Sequence, residues 1–127
     1  MDISEIIQGQ DSSIILSLIE RMRIFIEHDK TLVLDPGKLF LVAKICKQIC
    51  YLLNEQKCEY TIETYQDPIF KKRVWIQIDT WSFDVLPETM PAFQEILGEI
   101  SALSFHPAED GKMRITMYIN DVYVESR

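Results

Sequence analysis

The residue types that most often carry chemistry are sparse in this chain, and their spacing limits what they could do. Cys46 and Cys50 are four apart, so on a helix they share a face, and Cys58 follows shortly after. Zinc takes four nitrogen or sulfur ligands in a structural site, or three and an open position in a catalytic one. The histidines, His28 and His106, lie far from the cysteine pair, and neither CxxC nor HxxxH spacing occurs. Cys46 also falls on an apolar stripe, where a free thiol behaves as a small hydrophobe. Core packing is the expected role of the pair, and no metal site is expected.

Nucleophilic chemistry would need a base beside the attacking group. His106 could serve Cys58 only if the fold brought them together. The four glycines form neither GxGxxG nor GxxxxGK[ST], and Ser101 and Ser104 sit in no GxSxG elbow. No cofactor is therefore expected. Asp79 with Glu95 or Glu99 could act as an acid–base pair. Those glutamates, however, fall on the polar side of an amphipathic pattern, where a solvated face is the ordinary reading.

Recognition chemistry is better represented. Arg73-Val-Trp-Ile-Gln-Ile-Asp-Thr80 alternates strictly and follows another alternating run, Cys58 to Tyr65, across a turn at Gln66-Asp67-Pro68. Such alternation around a turn predicts a half-buried antiparallel hairpin. Val74, Ile76, Ile78 and Thr80 make its core face. Trp75, Gln77, Asp79 and Trp81 make the other, with Tyr65, Arg114, Thr116 and Tyr118 expected beside them. Trp, Tyr and Arg are the types in which binding energy concentrates. A second candidate is charge. From Asp84 to Asp110 there are six carboxylates, including Glu88, Glu95 and Glu99 on one helix side, and no Lys or Arg. A one-signed segment can steer and orient a basic partner.

The elements that must position these groups follow from periodicity. After a lead over Met1–Gln10, Asp11, Ser12 and Ser13 offer caps for a helix to about His28. Its apolar face holds Ile14, Ile15, Leu18, Ile19, Met22, Phe25 and Ile26, and Leu16 and Ile24 widen it, so cover is expected round much of the helix. Thr31–Leu34 reads as an extended connector or edge strand. Asp35-Pro36-Gly37 then opens a second helix, with Asp35 as cap and Pro36 at the first position, running from Lys38 to about Asn54. Asp84 or Thr89 could cap a third helix, because Pro87 and Pro91 are each tolerable only in a first turn. A second hairpin closes the chain: Ala102–His106, a turn at Pro107–Gly111, and Met113–Asn120, with Val122 and Val124 extending that last strand. The order is α-α-β-β-α-β-β. Four antiparallel strands with helices burying one aliphatic face form a two-layer α+β sandwich.

At 127 residues, 47% hydrophobic and 26% charged, the chain suits one globular domain able to fold without disulfides or metal. Thirteen Lys and Arg against 20 Asp and Glu give a net charge of −7. That field disfavours nucleic acid and anionic lipid, whose affinity depends on cations. The N-terminus lacks a secretory pattern, no apolar stretch reaches membrane-spanning length, and the three cysteines suggest no disulfide framework. The sequence therefore points to a cytoplasmic, non-enzymatic protein-interaction domain, acting on a protein partner (basic, or a second copy in a homodimer). Size, charge and element order parallel small acidic α+β chaperones and immunity proteins, without a shared motif. Two alternatives stay open. One is a small-molecule binder or hydrolase with Asp79, His106 or Cys58 in a cleft between sheet and helices. The other is a nucleic-acid binder through Lys71, Lys72, Arg73, Lys112 and Arg114.

Overall fold

The structure, a computed structural model, describes residues 12–81 and 102–126. Helix α1 spans Ser12–Phe25, strand β1 Leu32–Leu34 and helix α2 Pro36–Glu55. Strands β2 (Tyr60–Gln66) and β3 (Val74–Thr80) form the first hairpin; β4 (Ala102–Pro107) and β5 (Met113–Ile119) form the second; β6 is Tyr123–Glu125. The expected third helix, with its Asp84 or Thr89 cap, and the Met1–Gln10 lead lie outside the described residues.

Four strands make one antiparallel sheet in the order β2-β3-β5-β4. Each hairpin pairs with itself, and β3 pairs with β5 at the centre. The architecture is α+β, with α1 and α2 on one face of this sheet. Val74, Ile76 and Ile78 of β3 and Ile115, Met117 and Ile119 of β5 form one buried cluster with Ile15, Leu18, Ile19 and Met22 of α1 and the buried stripe of α2. The pleat thus delivers the alternate residues of β3 to the helices, as the alternation predicts. Buried hydroxyls on this face are satisfied locally: Thr64 Oγ1 donates to Trp75 O and Thr80 Oγ1 to Glu59 O, at 3.3 and 2.7 Å.

The helix ends have identifiable causes. Asp35 caps α2 by accepting from Lys38 N at 3.0 Å, with Pro36 inside the first turn. At the other end Lys57 enters the left-handed region at φ 55°, and Cys58 N bonds back to Leu53 O at 3.0 Å. That six-to-one closure is a Schellman stop, built here with lysine in the place glycine usually takes.

Two expectations need correction. Leu16 and Ile24 are 53% and 49% exposed, so α1 is covered along one stripe and not round its circumference. Val122 and Val124 do not prolong β5 either. Asp121 adopts φ 56° and ends the strand, and β6 leaves to pair with β1 in a separate two-stranded sheet. Val122 is fully buried at this corner: its N–H donates to Lys72 O and its carbonyl accepts from Asp35 N, both at 2.9 Å.

Candidate functional site

The sheet face turned away from α1 and α2 is assembled in cross-strand rows. Tyr65, Trp75, Tyr118 and Ala102 stand in one row, and Glu63, Gln77, Thr116 and Ser104 in the next. Thr61, Asp79, Arg114 and His106 form the third. The residues expected on this face from β2, β3 and β5 are therefore neighbours in space. Glu88, Glu95 and Glu99, the alternative acidic surface, lie outside the described residues.

The aromatic row is continuous. Tyr65 stacks on Trp75 with ring centroids 5.3 Å apart, and Trp75 meets Tyr118 at 6.0 Å in a tilted arrangement. Such offset contacts are favoured by the ring quadrupoles. Beyond Tyr118 the Arg73 guanidinium lies 5.0 Å from the Tyr118 ring and 4.7 Å from that of Phe70. One strip thus runs Tyr65–Trp75–Tyr118–Arg73–Phe70. Its end is set by the hairpin turn, where Asp67 Oδ1 accepts from Ile69 N and Phe70 N at 2.8 and 3.0 Å. Asp67 Oδ2 takes Arg73 Nε at 2.9 Å, which fixes the guanidinium between the two rings.

Ion pairs bracket the strip. Arg114 grips Asp79 through two parallel bonds, Nε to Oδ1 at 2.8 Å and Nη2 to Oδ2 at 3.0 Å. The Arg114 hydrogen bonds hold the Asp79 carboxyl below its usual range, and the same contact raises Arg114. Asp67 is held low as well, first by the Phe70 N–H and then by Arg73. Tyr65 donates its hydroxyl to Glu63, which pushes the phenol upward. Trp81 is 38% exposed and carries the Lys112 ammonium 4.3 Å from its ring.

The alternative chemistries fare differently. Asp79 and His106 share a row on either side of Arg114, but Cys58 packs against the core cluster. His106 lies on edge strand β4 and Cys58 just before the opposite edge strand β2, so the fold does not bring that pair together, and an Asp79 engaged on both oxygens is a weak base. Clefts do exist beside them. One of about 670 Å³ between α1 and β2 is lined by Cys58 and Glu59; another of about 590 Å³ is lined by Asp79, Glu109, Asp110, Lys112 and Arg114. The cations of the nucleic-acid reading are largely engaged one by one: Arg73 by Asp67, Arg114 by Asp79, Lys72 by Glu125 at 3.3 Å, and Lys112 by Trp81. Cys46 and Cys50 are buried, and Cys58 is half-buried. Among the described residues no cluster of three or more His, Cys, Asp or Glu could hold a metal, and no helix is long and apolar enough to cross a membrane.

Ile69 and Phe70 are the site residues that sequence reasoning misses. They sit in a turn, where no periodicity assigns a face, and their only signal is two adjacent large apolar residues between strand patterns. No family model matches this chain, and comparison with curated proteins and with solved structures finds no match.

Proposed function

We propose that the chain is a non-enzymatic protein-interaction domain that takes its partner on the Tyr65–Trp75–Tyr118 sheet face. The observation that carries this reading is the unbroken strip from Tyr65 to Phe70, in which aromatic rings and one paired arginine lie side by side. Aromatic and Arg side chains held rigid by their neighbours lose little entropy on binding, which is what makes them anchors. The face itself is balanced in charge, Glu63, Asp67 and Asp79 standing against Arg73, Lys112 and Arg114, so it is the −7 of the whole chain that favours a partner of basic character. The setting is cytoplasmic, and the role is that of an acidic adaptor, chaperone-like or immunity-like.

The test is selection of binders from a displayed protein library on the wild-type domain, followed by re-binding to two variants. Trp75→Arg should lose most of them, whereas Leu16→Arg, on an exposed position of α1, should keep them. Circular dichroism checks that both variants remain folded. Binders that hold Trp75→Arg as tightly as wild type would sink the reading.

A further inference from the structure

Strand β2 is an edge of the four-stranded sheet, and the parity of its ladder shows which backbone groups face outward. At the hairpin turn Asp67 N donates to Arg73 O at 2.9 Å, and the β2–β3 register runs on from there without a bulge. Bonded pairs alternate in an antiparallel ladder. Tyr65, Glu63 and Thr61 therefore turn their backbone groups to β3, whereas Ile62 turns its N–H and C=O away from it. Among the described residues nothing bonds that outward pair.

Helix α1 runs beside this edge. The groove of about 670 Å³ between them has Ser13, Ile14, Ser17 and Leu18 on the helix side and Glu59, Tyr60, Thr61 and Ile62 on the strand side. It stops short of Thr64, which is 1% exposed. A strand edge facing a helix across a gap is where an extended peptide fits. Its backbone continues the ladder, and alternate side chains enter the gap.

Parity also sets the chemistry of the occupant. Side chains opposite Tyr60 and Ile62 point to the helix side, where Ile14, Tyr60 and Ile62 pack against the core, and are apolar. A side chain opposite Thr61 points to the other face and stands diagonal to both Glu59 and Glu63, which are exposed. Lys or Arg suits that position. Within β2 there is no Lys, Pro or bulge, the usual guards of an edge. The carboxylates discriminate between occupants instead. A second copy paired on Thr61 would set Glu59 against Glu63, and every register brings together two chains at −7.

We infer that the β2 edge docks an extended segment of a partner protein, alternately apolar and basic, which adds to the sheet as a further strand beside α1.

The probe is a synthetic hexapeptide of alternating valine and lysine, added to the full chain and followed by fluorescence anisotropy and amide hydrogen exchange. In the free chain the Ile62 amide should exchange fast, and the Glu63 amide, bonded within the ladder, slowly. Peptide should slow Ile62 exchange about tenfold or more. Glu59→Lys and Ser17→Arg, both at exposed positions lining the groove, should weaken binding about tenfold. Tyr51→Arg, on an exposed position of α2, should not. Circular dichroism checks that all three variants stay folded. An Ile62 amide already slow in the free chain overturns the inference, because the edge is then taken without any partner. Unchanged Ile62 exchange with peptide overturns it too, as does undiminished binding to Ser17→Arg. Equal binding of an alternating valine–glutamate peptide would remove the basic partner. Each outcome is read at the β2 edge and none at Trp75, so this inference and the proposed function fail separately.

Discussion

Tyr123 donates its hydroxyl to the backbone carbonyl of Met22 at 2.6 Å, joining the C-terminal strand to the last turn of α1 across 101 residues. The helix is tightening there, since Ile26 N turns to Arg23 O at 3.3 Å, and Tyr123 satisfies a carbonyl near the helix end. The ring is fully buried, and that burial pushes the phenol well above its ordinary range.

Tyr123→Phe should therefore destabilise the fold while leaving its shape intact. The ring still fills its space, but the Met22 carbonyl loses its partner in a buried setting, at a cost of about 1–3 kcal/mol. Urea unfolding measures this directly. Tyr51→Phe, at a tyrosine 61% exposed on α2, should stay within about 0.5 kcal/mol of wild type. Equal effects at both positions would remove the Met22 bond from the account.

Acid stability follows from Asp79 and Asp67. Both carboxyls are held below their usual range in the folded chain by hydrogen bonds to Arg114, and to Phe70 N and Arg73, respectively. A carboxyl lowered on folding contributes stability above its unfolded pKa of about 3.9, and that contribution is lost as pH falls through the folded value. The thermal midpoint should accordingly decline below about pH 4. Asp79→Asn should start lower at neutral pH and decline less steeply, because its share of the linkage is gone. Because Arg114 is partly exposed, added salt should narrow the difference at neutral pH. A variant whose acid profile parallels that of wild type would assign the loss to other groups.

What was legible in the sequence follows from which interactions are local. The β3 alternation gave both faces of the sheet, because the pleat converts sequence parity directly into side. The Asp35-Pro36 start of α2 was equally readable, since a cap acts within four residues. The pairing of β1 with β6 was not, as it depends on Leu32 meeting Glu125 and on a left-handed turn at Asp121, and aspartate, though commoner there than most residue types, does not by itself announce such a turn. Leu16 and Ile24 misled for another reason: hydrophobicity says what would benefit from cover, not whether another element arrives to supply it. Ile69 and Phe70 carry no such signal, because turn residues obey no period. The aromatic strip was half visible. Parity put Trp75 and Asp79 on one side, while the register that sets Tyr118 beside Trp75 and Arg114 beside Asp79 is a property of the paired strands.

The cysteines supply a readout of the helical layer. Cys46 and Cys50 are buried on α2, and desolvation pushes the Cys46 thiol far upward, with a further push from Cys50. Thiolate is the reactive form, so neither should react with a disulfide reagent at mildly alkaline pH while the chain is folded. Cys58, half-buried at the start of the first hairpin, should label first. Cys46 and Cys50 should follow only at the rate of global opening, so their labelling should accelerate with urea in step with unfolding followed by circular dichroism. Cys46→Ala should cost little, because it removes one buried sulfur, whereas Cys46→Asp should prevent folding by placing a carboxylate among Ile45, Ile49 and the sheet residues of the core. Rapid labelling of all three thiols in the native chain would show that α2 does not hold its stripe against the sheet, and both faces of the sheet would then need to be reassigned.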